Sequence, residues 1–379
     1  MKKLMPQADR SEMKYRIALT LLPSIGPVTA RNLIDNIGSA SAVFNEKRHV
    51  LERIEGIGPR KAGSFNTSSI LEKAEQEMAF IERHRIKTIY YKDPEYPHHL
   101  FQCNDAPILI YARGTGGLKS LRSLSVVGTR RASPYGREIC RELIRELSAL
   151  VDDLVIVSGL AYGIDVIAHR AALECGIPTV AVLGHGMSTI YPRAHRETAK
   201  QICEQGMLVT DFHSGIGPER NNFLRRNRII AGLSKATLII ESPEKGGALI
   251  TADLAASYGR LVLAIPGRST DRRSRGCNNL IKSNIAALVD TPSDILRELS
   301  WETPACSGKR PSPPAIHPSG NEGLILSLIE KQPGINPGNL SLSTGIPIAT
   351  ILAILTEMEL KQWISAEPGN QYRLRISIA

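Results

Sequence analysis

Six short apolar runs recur at 124–127, 154–157, 179–183, 207–210, 237–240 and 261–265, and amphipathic stretches such as 137–150 and 165–173 separate them. Strands alternating with helices in this way predict an α/β fold, a Rossmann-like, doubly wound and mainly parallel sheet. Such a sheet takes its ligands beyond the carboxyl ends of its strands. Here those ends are glycine turns. The first is Gly128-Thr129-Arg130-Arg131, and the second is Ser158-Gly159-Leu160-Ala161-Tyr162-Gly163-Ile164-Asp165. The third ends at Gly184-His185-Gly186, the fifth at Glu241 with Gly246-Gly247 soon after, and the sixth at Pro266-Gly267. A single turn of this kind is explained by the needs of a strand-to-helix connection. Five of them on one edge bring backbone amides and helix starts to a place where an anion can sit.

The stretch 220–230 adds charge to that edge. Arg220, Arg225, Arg226 and Arg228 stand among Asn221, Asn222, Asn227 and Phe223, and no acidic residue occurs from Arg220 to Ile240. Guanidinium forks match phosphate oxygens, and an aromatic ring among them offers a stacking face to a base. A solvated helix face is the plainer use of a charge run. The absence of nearby acids predicts that these arginines are unpaired. The stretch falls between the fourth and fifth runs, where a helix is expected to begin.

Composition narrows the ligand. The chain of 379 residues carries a formal net charge of +10, while residues 301–379 hold six basic and six acidic side chains. A basic body with a neutral tail points to a polyanion bound by the body. No run approaches the roughly 18 apolar residues of a membrane span. The start, Met1-Lys2-Lys3-Leu4-Met5-Pro6-Gln7, lacks an apolar signal core. Six scattered cysteines without a Cys-x-x-Cys pair fit a reduced, cytoplasmic protein better than disulfides or zinc.

The flanks differ from the centre. Ile25-Gly26-Pro27 and Ile57-Gly58-Pro59 each separate helical patterns, which suggests tandem helix-hairpin-helix units. In that motif backbone amides at a helix start hold a phosphate without reading sequence; an ordinary helix turn is the alternative. Residues 93–111 read as a Pro-punctuated connector with a short strand, in which His98-His99 form a surface pair. Beyond a Pro/Ser-rich linker, helical patterns near 324–329, 339–345 and 348–360 precede a two-strand wing around 367–370, as in a winged helix. The third of these helices has no basic residue before Lys361 and carries Glu357 and Glu359, so weak or no duplex binding is expected of it. The expected domains are 1–115, 116–300, a linker at 301–320, and 321–379.

Several chemistries lack support. Gly-x-Gly-x-x-Gly is absent after the first strand, no Walker A lysine occurs, and Ser158 is not in a nucleophile elbow. Asp165 and His169, four apart on one helix, suit capping or a buried polar link better than acid–base catalysis. No catalytic or metal-binding residue is assigned, and no cofactor is expected.

Taken together, Val127-Gly128-Thr129-Arg130, Ser158-Gly159-Leu160-Ala161-Tyr162-Gly163-Ile164-Asp165 with Ala168-His169, and Tyr191-Pro192 resemble the DNA-processing protein A (DprA, also called Smf) family. So do Phe223 with Arg226-Asn227-Arg228-Ile229-Ile230, Gly247-Ala248-Leu249-Ile250-Thr251, Pro266-Gly267 and Gly276-Cys277-Asn278-Asn279. The resemblance implies a non-enzymatic single-stranded DNA-binding protein that protects incoming DNA during natural transformation and loads the RecA recombinase. It also implies a homodimer through the Rossmann-like domain, without a cofactor or a membrane. On this reading the strand-binding residues are Gly128, Thr129, Arg130, Ser158, Gly159, Arg220, Phe223, Arg225, Arg226, Asn227, Arg228, Lys245, Gly246, Gly247, Thr251 and Asn278. Leu224 stands where the family has proline, Ser214-Gly215-Ile216-Gly217-Pro218 replaces its Gly-Thr-Pro-Pro turn, and Lys282-Ser283-Asn284-Ile285-Ala286 replaces a Gly-Ala ending. The other reading is a nucleotide enzyme on a similar sheet, of the lysine-decarboxylase-like phosphoribohydrolase type. Its Pro-Gly-Gly-x-Gly-Thr motif is only faintly echoed by Pro243-Glu244-Lys245-Gly246-Gly247-Ala248.

Overall fold

The computed structural model describes residues 7–301 and 320–374, apart from 24, 66–67, 121, 333, 362 and 368–370. The chain divides into two compact units, Met1–Glu302 and Thr303–Ala379. Most of the Pro/Ser-rich linker expected at 301–320 lies outside the described residues.

The first unit opens with helices. Gly26, at φ −85° and ψ 174°, precedes the helix Pro27–Ile37, and Gly58, at φ −92° and ψ 175°, precedes the helical turn Pro59–Ala62. The two Gly-Pro copies share one backbone conformation. Proline starts a helix at little cost because its missing N–H has no intrahelical partner there. Ile17, Leu33, Ile34, Val43 and Leu51 are buried between these helices and Ser68–His84.

A nine-stranded sheet follows, in the order β1-β2-β6-β5-β4-β3-β7-β8-β9. The strands are β1 (Lys87–Tyr90), β2 (Leu109–Gly114), β3 (Ser123–Val127), β4 (Val155–Ser158), β5 (Thr179–Val182), β6 (Met207–Thr210), β7 (Ala236–Ile239), β8 (Leu261–Ala264) and β9 (Ala287–Leu288). From β6 to β9 every pairing is parallel, while β1 and β2 add an antiparallel edge. All six expected strands are present. β1 and β2 join the same sheet although they precede residue 116, and β1 has no counterpart among the expected strands.

Alternation along the strands divides the core. Leu124 and Val126 pack with the helices Pro134–Leu150 and Ile164–Glu174, together with Ile156, Leu238 and Leu263. Val127, Val157, Val182 and Ile239 face the other way, against Ile229 and Ile230 of the helix Arg220–Leu233 and Ala252 and Ala255 of Gly247–Ser257. Ser125 sits on that second face and donates to the Ile230 carbonyl at 2.7 Å. Strand order reverses between β3 and β7, whose chain neighbours lie on opposite sides. Ligands of doubly wound sheets bind at such a point.

The second unit holds helices Asn321–Lys331, Pro337–Thr344 and Ile348–Leu360 and an antiparallel pair, β10 (Ile364–Glu367) and β11 (Gln371–Leu374). Ile325, Ile329, Leu340, Ile351, Leu355 and Ile364 form its core. This is the expected winged helix; the wing tip at 368–370 lies outside the described residues. Among the described residues no single helix is long and apolar enough to cross a membrane, and no group of His, Cys, Asp and Glu is arranged to hold a metal.

Candidate nucleic-acid interface

At the reversal point the carboxyl ends of β3 and β7 part to leave an open groove of ≈ 820 Å³. Gly128, Thr129 and Arg130 line one side, Ser242, Pro243, Lys245 and Gly247 the other, and Arg220, Phe223, Arg226 and Asn227 the floor and end. Three chain segments far apart in sequence converge here because each follows, or leads into, a strand that ends at this edge.

The turn carrying Arg130 is braced from both sides. Thr129 donates its amide to the Glu241 carbonyl at 2.7 Å and accepts from the Ile164 amide at 3.2 Å. Gly163 takes φ +80°, and a Cβ there would run into the Thr129–Arg130 backbone. A Cβ on Gly128 would meet the Ile164 side chain at 2.5 Å. These glycines bring the turns after β3 and β4 into contact, and Arg130 projects from the junction into solvent. Glu241 closes the other side: its Oε2 accepts from the Ser133 amide at 2.8 Å, at the start of Pro134–Leu150. A carboxylate at a helix start is favoured by the exposed amides and the helix dipole.

Phe223 is the hinge of the site. Its ring lies 5.7 Å from the Arg130 guanidinium and 6.0 Å from that of Arg226, both distances for cation–π attraction. Tyr191 tilts toward it with centroids 5.8 Å apart. Gly184 permits this approach, since a Cβ on it would come within 2.6 Å of the Phe223 ring. Tyr162 stacks edge-on against His195 at 4.8 Å. Tyr162 and Tyr191 are 50% and 45% exposed and line a smaller pocket next to the groove, which shares Arg130, Phe223 and Arg226 with it. Both tyrosines belong to the sequence motifs, yet the sequence alone assigns neither a role; the signal for them is an aromatic in a glycine turn at a strand end.

The arginines of 220–228 divide into two kinds. Arg220 and Arg225 are exposed. Arg220 lines the groove, whereas Arg225 lies 5.2 Å from the Phe212 ring and outside the groove lining. Arg226 is buried: it donates to the Val182 carbonyl and sits beside the Asp165 carboxylate. Burial lowers its affinity for a proton, to a pKa of about 10, against the pull of Asp165. Burial likewise raises the pKa of Asp165, against Arg226. Arg228 is held by the Asp105 carbonyl and an ion pair with Asp211 on the far side of the helix. The expectation that these arginines lack acidic partners is therefore corrected for Arg226 and Arg228. Their acids come from 165 and 211, too distant in the chain for a local pattern to reveal.

Other expected residues act as supports. Ser158 is buried and donates to the Val126 carbonyl at 2.6 Å. Gly159 leaves room for Arg226, whose terminal nitrogens would lie 2.6 Å from a Cβ there. Asn278 clamps Gly267 through its amide and carbonyl at 3.1 and 2.9 Å. None of these three lines the groove. Asn227 donates to the Gly247 carbonyl at 3.4 Å, and the Thr251 hydroxyl reaches the same oxygen at 3.4 Å. The helix Gly247–Ser257 starts at Gly246 with no side-chain cap, so its first amides open onto the groove beside Lys245. His169 is a buried link, as expected, bonded to Thr179 at 2.7 Å and to the Gly159 carbonyl at 2.6 Å; burial pushes its pKa down to about 4.

Among the described residues, Arg130, Arg131, Arg220 and Lys245 have no carboxylate within ion-pair distance. The groove thus offers exposed cations, uncapped helix amides and the Phe223 ring, with Tyr162 and Tyr191 in the pocket beside it. That set is suited to a flexible polyanion with flat bases.

The sequence model described as DNA recombination-mediator protein A matches residues 87–300. Those for a DprA winged helix domain and a SAM-like helix-hairpin-helix tandem match 309–370 and 17–64. Protein Smf of Escherichia coli K12 is 35% identical over 329 residues, covering 82% of this chain and 83% of its own. DNA processing protein DprA of Streptococcus pneumoniae R6 is 38% identical over 209 residues, 55% of this chain and 73% of its own. The X-ray structure of S. pneumoniae DprA superposes with a TM-score of 0.62 at 29% identity, covering 76% of this chain and 97% of that one. A Helicobacter pylori DNA processing protein A structure, described for its single-stranded DNA binding mode, superposes at 0.51 with 26% identity over 57% of this chain and 96% of that one.

Proposed function

Because the chain belongs to the DNA recombination-mediator protein A family, we propose that it binds single-stranded DNA along the groove at the carboxyl edge of its sheet. The observation that carries this reading is the placement of Phe223 between Arg130 and Arg226 at the end of a groove lined by unpaired cations. Arg130, Arg220 and Lys245 hold phosphates, the amides at Gly246 and Gly247 donate to another, and bases stack on Phe223, Tyr191 and Tyr162. Arg226, Asn227, Asp165 and Thr251 keep the groove in shape. Every contact of this kind addresses backbone or ring face, so sequence preference is small.

The reading extends to a cytoplasmic protein that protects incoming strands and passes them to a recombinase of the RecA type. It also extends to a homodimer. Leu261, Ile285 and Leu288 are 40%, 44% and 47% exposed at the β8–β9 edge of the sheet, and an exposed apolar patch on a sheet edge suits a self-complementary interface.

Competition of single-stranded against blunt duplex DNA for the full chain, with and without Arg130→Ala, tests the proposal. Preference for the single strand, lost in the variant, supports it. Equal affinity for both forms overturns it.

A further inference from the structure

The groove does not end at Lys245. The loop after β8, together with the first residue of the helix Arg275–Lys282, carries Arg268, Arg272, Arg273 and Arg275, all exposed. Among the described residues none of the four has a carboxylate within ion-pair distance. The only acid in the loop, Asp271, accepts from the Arg273 amide at 2.9 Å and forms no ion pair with any of the four. Unpaired like charges crowded on one loop repel one another, and a protein gains nothing in stability by keeping them together.

This loop is held against the groove. Gly276 donates its amide to the Ser242 carbonyl at 2.9 Å, and a Cβ on Gly276 would meet the Pro243 carbonyl at 2.5 Å and Leu249 at 3.1 Å. Ser242, Pro243 and Leu249 all line the groove. Asn278 clamps the other end of the loop through both backbone groups of Gly267. Tyr135 donates to the Pro266 carbonyl at 3.4 Å. The four arginines therefore stand on a braced loop that shares a wall with the groove.

Resting on the function proposed above, we propose that the loop 268–275 is a second binding track, which takes the phosphates of a single strand as it leaves the groove past Pro243. The groove holds the bases of a short segment, and the arginine loop lengthens the footprint by electrostatic contact alone. Asn278 acts in this scheme as a positioning residue for the loop.

The test is length-dependent binding of labelled oligothymidylates to the full chain carrying Arg272→Ala, Arg273→Ala and Arg275→Ala together. An oligomer of about 20 nucleotides should bind the triple variant roughly tenfold more weakly, and one of about 6 nucleotides within about twofold of the parent. For the longer oligomer, the slope of log K against log salt should become shallower by about 2, from roughly 0.7 for each single-strand phosphate that is no longer neutralised. Lysine at the same three positions should restore most of the affinity, since the contact is one of charge. Unchanged affinity for the long oligomer, or equal loss for both lengths, overturns the second track. Arg130→Ala separates the two proposals: it should weaken both lengths, and its failure to do so would count against the groove itself while leaving the loop's length effect to be read independently.

Discussion

Both carboxylate oxygens of Glu77 accept from the Ser214 amide, at 2.9 and 3.0 Å, and Oε2 accepts from its hydroxyl as well. Glu77 lies on the helix Ser68–His84, 137 residues earlier in the chain, and is 6% exposed. Ser214 opens the turn that leads into Arg220 and Phe223. A carboxylate from the amino-terminal helices thus holds this loop, together with the bonds of Ser188 to the Ser214 carbonyl and of the Gly186 amide to the Ile216 carbonyl.

Replacing Glu77 by alanine leaves the half-buried amide and hydroxyl of Ser214 without this acceptor, at a cost of about 1 kcal/mol. We predict a lower denaturation midpoint and, below it, faster amide exchange across 213–219 with single-strand affinity reduced several-fold. Unaltered exchange in that loop would show that Glu77 does not hold it.

Arg130→Ala and Arg226→Ala are expected to fail differently. Arg130 is exposed, so its loss should spare thermal stability and weaken single-strand binding. Loss of Arg226 removes a buried side chain that bonds the Val182 carbonyl and is the largest charged neighbour of Asp165, so this variant should melt early whether or not DNA is present. Melting curves beside binding curves decide it; a stable Arg226→Ala that merely binds weakly would contradict this division of roles.

Phe223→Ala should cost about 1–3 kcal/mol of binding if one base stacks on the ring. Gly184→Ala pushes a methyl into the same ring and should reproduce part of that loss without touching any cation. Binding by both variants at parental affinity would remove Phe223 from the interface.

Acidification should destabilise the protein through His169. Its folded pKa of about 4 lies below the ordinary 6.5, so the unfolded chain binds the proton more readily. The contribution is complete above about pH 6.5 and is lost as pH falls toward 4, to a total of about 3 kcal/mol. Asp165 works in the opposite sense: its folded pKa is raised, so its contribution is present below 3.8 and is lost as pH rises through the folded value. Urea midpoints from pH 7 to 5, compared with His169→Gln, isolate the histidine; parallel profiles would refute its part.

The winged unit should not bind duplex DNA. Lys361, the first basic residue after Ile348 on its third helix, is paired with Glu322 at 3.2 Å and Glu357 at 2.7 Å. Measurable affinity of the isolated 321–379 fragment for a labelled duplex would overturn this.

The sheet was legible because strands buried on both faces read as unbroken apolar runs. β1 was not, since Lys87-Thr88-Ile89-Tyr90 is a four-residue antiparallel strand at the sheet's edge and its pattern is mixed. At the groove, residue type pointed to Arg130, an arginine in a glycine turn, and to Phe223, an aromatic among arginines, and both line it. Arg226 and Arg228 carry the same side chain within the same helix, and only their burial against Asp165 and Asp211 separates structure from binding. Burial of that kind depends on which strands become neighbours, which one helix cannot state.

On the proposed function, the brace around Thr129 bears on which partner surrenders freedom on association. With its amide tied to Glu241 and its carbonyl to Ile164, the turn bearing Arg130 has little backbone disorder left to give up. The ordering cost then falls on the nucleic acid, and a strand whose own bases are stacked must first be pulled apart. Any ranking of homopolymers by this protein should follow the stiffness of the strand, with thymidine tracts ahead of adenosine tracts.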